Sequence, residues 1–242
     1  PMSDRIPGWY PLRTPGVIAH LLIDDQGATL IDTGLLGMPG RVGKTLRRLG
    51  RSLDDLHAIV LTHGHLDHTG GLAKLKRLTG ATVYAHPDEQ PHIDGRYPYR
   101  GVARVCGWLE AFGRWAIRYR GVPIDRPMHD GEVLPLWGGL RVVHLPGHTA
   151  GHCGLYSERH DALFVGDLFA CFRPRAAFPP AILNSVPERL VDSLRRVDEL
   201  APRWVVPNHY AAWATLPGLR RGFDRLAQKQ LAQSPQLSES AS

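Results

Sequence analysis

Leu61-Thr62-His63-Gly64-His65-Leu66-Asp67-His68 is the stretch on which the reading of this chain turns. It puts three imidazoles and one carboxylate into six consecutive positions, a density of metal-ligand atoms for which ordinary folding has no use. The residues leading into it, 58–62, are β-branched and apolar, so a short strand delivers the cluster. Three further ligand-type side chains each follow an apolar run far downstream: His148 after 140–145, Asp167 after Leu163-Phe164-Val165-Gly166, and His209 after Trp204-Val205-Val206-Pro207-Asn208. Strand ends are where such groups can converge.

Working outward, residues 17–24 and 28–32 read as two strands joined by a hairpin at Asp25-Gln26-Gly27, the second ending in Asp32-Thr33-Gly34. Residues 40–49 have helical spacing, with Val42, Leu46 and Leu49 on one face and Gly50 as a stop. Gly70-Gly71 opens another helix through Leu78, and 82–85 is a strand. Strands resume at 140–145, 154–157, 162–165 and 204–206, and helices are expected over 187–200 and 216–231. Between the two blocks, 88–127 is aromatic and basic; Trp108, Phe112 and Trp115 fall at i, i+4 and i+7, which predicts a helix docked through that face. Alternating strands and helices in two blocks imply an α/β fold of two packed sheets with helices outside. The expected organisation is a single domain over 1–233, with 88–127 inserted, and a polar, disordered tail over 234–242.

Bulk properties narrow the function classes. At 242 residues, 43% hydrophobic and 21% charged, the chain is long enough for one well-buried core and is neither disordered nor fibrous. It contains no apolar run of membrane-spanning length and no basic-then-apolar leader, so neither a membrane partner nor secretion is expected. The odd, widely spaced set Cys106, Cys153 and Cys171 suits reduced thiols, which points to the cytoplasm. The net charge of +6 is spread along the chain, which argues against a nucleic-acid partner.

Five histidines and two carboxylates exceed what one ion needs. Alternation along the loop puts His63 and His65 on one side, while Asp67 and His68 can face a neighbouring position. Two divalent ions divide the set sensibly, zinc foremost, with iron or manganese also suited to these donors. Asp32 has two readings, turn chemistry before Thr33-Gly34, or the carboxylate that fixes a ligand imidazole's tautomer; the second is favoured. His152 is expected to support the site. His20, His57, His86, His92, His129, His144 and His160 lack such context and are read as structural.

With its His-x-His-x-Asp-His motif after a strand, the chain resembles the metallo-β-lactamase superfamily over most of its length. The resemblance extends to Ile31-Asp32-Thr33-Gly34, Pro146-Gly147-His148, Gly166-Asp167 and His209, and it departs at Asn208-His209-Tyr210, where many hydrolases of the family carry glycine or glutamate. It implies a four-layer αββα sandwich of two mixed sheets. It also implies one metal on His63, His65 and His148, a second on Asp67, His68 and His209, and Asp167 between them. The implied chemistry is hydrolysis, in which a metal-bridging hydroxide attacks a carbonyl and Asp67 serves as the catalytic proton acceptor. A small ester or lactone is the first expectation for the substrate. A thioester of the glyoxalase II type, a phosphoester and a β-lactam are the alternatives on the same site. A mononuclear iron persulfide dioxygenase and a non-catalytic metal-bound sensor are the readings from other classes. Tyr97, Tyr99, Trp108, Trp115, Phe172, Arg173 and Phe178 are the expected pocket walls, with 88–127 acting either as a lid or as a homodimer contact.

Overall fold

The computed structural model describes residues 6–14, 16–96, 99, 101–172, 175–211 and 213–232. The tail expected over 234–242 lies outside the described residues, as do Tyr97 and Arg173.

The first half supplies β1 (Trp9–Arg13), β2 (Ile18–Asp24), β3 (Gly27–Ile31), β4 (Leu56–Val60), β5 (Thr82–Ala85) and β6 (Arg126–Pro127), paired in that order in one sheet. The pairs from β1 to β3 are antiparallel and those from β3 to β6 parallel. Its helices are α1 (Met38–Arg48), α2 (Leu66–Thr69), α3 (Leu72–Thr79), α4 (Gln90–Ile93) and α5 (Arg104–Ala116). The second half supplies β7 (Val133–Leu134), β8 (Leu140–His144), β9 (Cys153–Ser157), β10 (Ala162–Gly166), a small hairpin of β11 (Ala170–Phe172) and β12 (Arg175–Ala177), then α6 (Leu190–Leu200), β13 (Trp204–Pro207), β14 (Ala214–Thr215) and α7 (Leu216–Ala232). The second sheet runs β14-β13-β10-β9-β8-β7, with β10 and β13 parallel and its other pairs antiparallel.

Side-chain alternation along each strand assigns the layers, because successive residues point to opposite faces of a sheet. In β10, Ala162 and Phe164 enter the cluster between the sheets, together with Trp9, Leu22, Ile31 and Val60 of the first sheet. Leu163 and Val165 point the other way, against Leu190, Leu194, Leu219 and Phe223 of α6 and α7. In β4, Ala58 and Val60 face the inter-sheet cluster while Leu56 and Ile59 pack under Val42 and Leu46 of α1 and Leu72 and Leu75 of α3. The result is the helix–sheet–sheet–helix sandwich, with both sheets mixed.

Several local expectations are corrected. Leu49 lies just past α1 and is 37% exposed, so the buried stripe ends at Leu46. Residues 187–200 begin as a 3-10 turn, Pro187–Arg189, before α6. The strand β1 escaped the sequence reading because it contains Pro11, which cannot donate to a ladder and is tolerated here on the sheet edge.

The largest correction concerns α5. Trp108, Phe112 and Trp115 are 70%, 68% and 76% exposed, and the helix packs instead through Cys106, Gly107, Glu110 and Arg114. Periodicity defined two faces, but burial went to the polar one, whose charges serve the ligand loop. Gly113 marks how close that approach is, since a Cβ there would stand 2.7 Å from Leu66 Cδ2. Among the described residues, no helix is long and apolar enough to cross a membrane.

Candidate metal centre

The carboxyl ends of strands from both sheets meet at one edge of the sandwich. β4 leads into His63, β8 into the loop carrying His148, β10 into Asp167, and β13 into His209. There the side chains gather in two groups, one of His63, His65 and His148, the other of Asp67, His68, Asp167 and His209, the ligand atoms within each lying inside 4.8 Å of one another. Asp167 Oδ2 stands 3.6 Å from His148 Nε2 and 2.9 Å from His209 Nε2, which places it between the groups. Its Oδ1 lies 3.4 Å from His68 Nε2.

Four of the five imidazoles, those of His63, His68, His148 and His209, are oriented from behind. Asp32, fully buried in the left-handed region at φ 58°, accepts from the Thr62 N–H at 2.8 Å, the Thr62 hydroxyl at 2.8 Å and Asn208 Nδ2 at 2.7 Å. Its Oδ2 also lies 2.9 Å from His68 Nδ1, which can only be a donor to a carboxylate. With the Thr62 hydroxyl proton committed to Asp32, His63 Nδ1 donates to the Thr62 oxygen at 3.1 Å. His148 Nδ1 donates to Asn184 Oδ1 at 3.2 Å, and His209 Nδ1 to the Gly16 carbonyl. Holding a proton on Nδ1 of these four makes Nε2 the atom that a metal would bind, once His68 and His209 have given up the proton that their carboxylate neighbours favour there.

Whether a cation fits can be judged from these free atoms. Nε2 of His63, His65, His68 and His148, and Asp167 Oδ1, are buried with no hydrogen-bond partner. Five such orphans gathered at one edge of the sandwich, in two groups, are costly unless cations satisfy them, because a buried polar atom without a partner costs about 1–3 kcal/mol. The donor set, imidazole and carboxylate, suits zinc, iron or manganese.

Electrostatics separate the two groups. Burial and the neighbouring imidazoles hold His63 and His65 well below the ordinary histidine value, so both are neutral acceptors. Burial also keeps His148 low. Burial opposes charge on His68 and His209 too, but the carboxylates around them prevail: His68 is raised well above its ordinary value and His209 is pushed up to about 9, chiefly by Asp167. Those protons occupy the space between ligand atoms where a cation would sit.

Some of the machinery was not foreseen in the sequence. Glu89, fully buried just after β5, accepts from the Gly64 N–H at 2.7 Å, the Thr149 hydroxyl at 2.6 Å and the Gly151 N–H at 2.9 Å, tying the His63–His65 loop to the His148 loop. Burial raises its carboxyl to about 7 against those three donors. From α5, Glu110 accepts the Leu66 N–H at 2.6 Å and Arg114 Nη2 donates to the Gly64 carbonyl at 3.1 Å. The i, i+4 spacing of Glu110 and Arg114 beside Gly107 was the available signal. His92, read as structural, lies with its ring 5.4 Å from that of His65, and burial lowers it to about 3. His152 Nε2 accepts the Asp167 N–H at 3.0 Å while its Nδ1 donates to the Leu145 carbonyl, a supporting position.

The expected pocket walls fare unequally. Tyr99 is buried with its ring 5.7 Å from that of His65, and its hydroxyl donates to Glu110 Oε2 at 2.8 Å. Trp108 and Trp115 point to solvent, so they wall no enclosed pocket. Phe178 packs in the core under α6 and α7, away from the wall role. Phe172 is placed by its backbone in β11.

Comparison with known proteins adds four findings. Residues 14–209 match the family described as the metallo-beta-lactamase superfamily. The hydroxyacylglutathione hydrolase GloC of Haemophilus influenzae is 29% identical over 176 residues, covering 71% of this chain and 74% of that protein. Among solved structures, a metallo-beta-lactamase family protein from Thermus thermophilus superposes with a TM-score of 0.75 at 26% identity, over 94% of this chain and 81% of that one. TTHA1623, solved in a di-iron-bound form, superposes with a TM-score of 0.66 at 28% identity, over 86% of this chain and 94% of that one.

Proposed function

Because the chain belongs to the metallo-β-lactamase superfamily and is a metal-dependent hydrolase, we propose that it hydrolyses a small acyl compound, an ester or lactone, with two divalent ions held by His63, His65, Asp67, His68, His148, Asp167 and His209. The observation that carries this reading is the set of buried Nε2 atoms and the Asp167 oxygen that have no partner. Zinc is the first choice of ion, and the di-iron form of a similar structure favours iron as the second. Held there, such ions supply Lewis-acid activation of water and polarisation of a carbonyl oxygen.

The chain's own residues do the rest. Asp32, Thr62 and Asn184 hold the imidazoles in one tautomer, so no reorganisation is needed when charge develops. Asp67 is the proton carrier: its side chain is 36% exposed at the mouth of the site, with Oδ2 3.5 Å from His209 Nε2, so its carboxylate can take a proton from water and return it to the leaving group. Tyr99, its ring tilted against that of His65 at 5.7 Å, is the aromatic wall beside the ligands. The molecule is read as one hydrolase domain with 88–127 as its insertion.

A thioester substrate is the second reading, favoured by the similarity to a hydroxyacylglutathione hydrolase. One experiment tests both. Metal content is measured by mass spectrometry on the protein used to assay a panel of lactones, aryl esters, glutathione thioesters, β-lactams and phosphodiesters. Two equivalents of metal with chelator-sensitive turnover of a lactone or ester is the expected result. Turnover confined to thioesters selects the second reading, and hydrolysis by metal-free protein ends both.

A further inference from the structure

A cleft of about 410 Å³ lies between the N-terminal end of α1, α3 and the segment following α5, and none of the candidate metal ligands lines it. Four of its lining side chains are cations, Lys74, Arg77, Arg118 and Arg120, and no acidic residue lines it. Among the described residues none of the four is ion-paired, although Lys76, two positions from Lys74, is held by Asp125. All four are exposed, and four cations around one cleft without a counter-charge make a positive field that attracts anions.

The cleft floor points the same way. Gly37 and Gly40 line it, and a Cβ on either would meet nothing within 4 Å, so bare backbone faces open space. Gly37 is the N-cap of α1, an 11-residue helix with no side-chain cap and no acidic residue in its first turn. The Met38 N–H bonds the Leu35 carbonyl and Pro39 has no N–H, so what this end of the helix offers an anion is the Gly40 N–H and the positive end of the dipole. Arg118 stands at the rim at φ 51°, a left-handed conformation that a non-glycine residue adopts at a cost, and here the strained position carries a guanidinium.

We propose that this cleft is a binding site for a phosphate-type oxyanion, either a free phosphoanion or the headgroup of an anionic phospholipid. The arginine forks of Arg118 and Arg120 match phosphate oxygens bidentately, Lys74 and Arg77 add positive charge, and the Gly40 N–H at the start of α1 can donate. A dianion suits four cations better than a single carboxylate does. The exposed Trp108, Phe112 and Trp115 stripe ends three residues before Arg118, which is why the lipid source is carried as an arm of the test.

The test uses the metal-loaded protein titrated with inorganic phosphate by calorimetry and, separately, sedimented with phosphatidylglycerol or phosphatidylcholine vesicles. Binding of phosphate, of phosphatidylglycerol vesicles but not phosphatidylcholine, or of both supports the site and identifies the source. The double variant Arg118→Gln with Arg120→Gln should weaken binding by at least about tenfold, whereas Arg47→Gln with Arg48→Gln, an equal charge change on the far end of α1, should not. Arg118→Gly supplies the control for folding. It relieves the left-handed strain and should raise Tm by about 2–4 °C while still weakening phosphate binding. Wild-type protein that binds neither probe overturns the proposal. So does binding that persists undiminished in the double variant, because that phosphate sits on the metals.

Discussion

The two ligand groups are built from opposite electrostatics. His63, His65 and His148 form an all-imidazole pocket, buried, neutral and held from outside by Thr62, Asn184 and the Glu89 brace. Asp67, His68, Asp167 and His209 are half carboxylate, partly open at Asp67 and His209, and held together by shared protons. The first group is therefore rigid before any cation arrives, and the second must exchange protons for one. The difference teaches that rigidity in the first group is supplied by its surroundings, whereas in the second it is supplied largely by its own charges.

His148→Ala should break the comparison most severely. Metal content should fall from two equivalents to one, the survivor on the carboxylate group, and kcat/KM should drop by more than about a hundredfold, beyond what loss of a group behind the ligands costs. Plasma mass spectrometry and steady-state assay on the same sample check this. If both equivalents persist, the two groups are not separate sites.

Asp32→Asn falls directly on the carboxylate group through His68 and reaches the imidazole group only through Thr62. Asparagine tolerates φ 58°, but its one oxygen cannot serve Thr62, Asn208 and His68 together. Affinity at the second group should weaken by about 10–100-fold while the first is spared more, which competition against a graded series of chelators resolves. Equal weakening at both groups would erase the distinction.

Glu89→Gln sharpens the other side. Its amide cannot accept from Gly64 and Gly151 at once, so one buried N–H loses its partner, at about 1–3 kcal/mol of stability. Denaturant midpoints should fall accordingly, and metal should be lost first from the imidazole group. Loss from the carboxylate group instead would show that the brace was misassigned.

The smallest expected effect is a pH dependence beneath both groups. Burial lowers His20 to about 3, and its Nδ1 accepts from Trp9 Nε1 at 3.2 Å. Its unfolded value is near 6.5, so the unfolded chain binds more protons between those limits. The stability His20 contributes is full above pH 6.5 and is lost as pH falls toward 3. In chelated protein this group should contribute about 1 kcal/mol of destabilisation between pH 6.5 and 5.5. His20→Gln should remove that share, as urea midpoints at the two pH values would show.

How much of this was legible beforehand depended on whether a residue advertises its role by type or only by position. The run His63 to His68 is conspicuous because no packing need explains it, and His148, Asp167 and His209 gain meaning from the apolar strands that precede them. The alternation of strands and helices in two blocks likewise foretold the two packed sheets. Glu89 could not be read so, because a buried carboxylate looks like a surface one in sequence and its partner Gly151 is 62 positions away. The α5 helix shows a second limit. Periodicity finds the stripe but not its direction, and here satisfying the backbone of Gly64 and Leu66 with Glu110 and Arg114 outweighed hiding Trp108 and Trp115.

Each ligand group draws side chains from both halves of the chain: His63 and His65 meet His148, and Asp67 and His68 meet Asp167 and His209. Cations seated there would rivet one sheet to the other, across a loop of chain longer than many disulfides close. Folding and loading are then one equilibrium, and every tenfold change in free metal above saturation moves the melting free energy by about 1.4 kcal/mol per site. The thermal tolerance of this protein should therefore track the metal supply of its surroundings as much as the quality of its core.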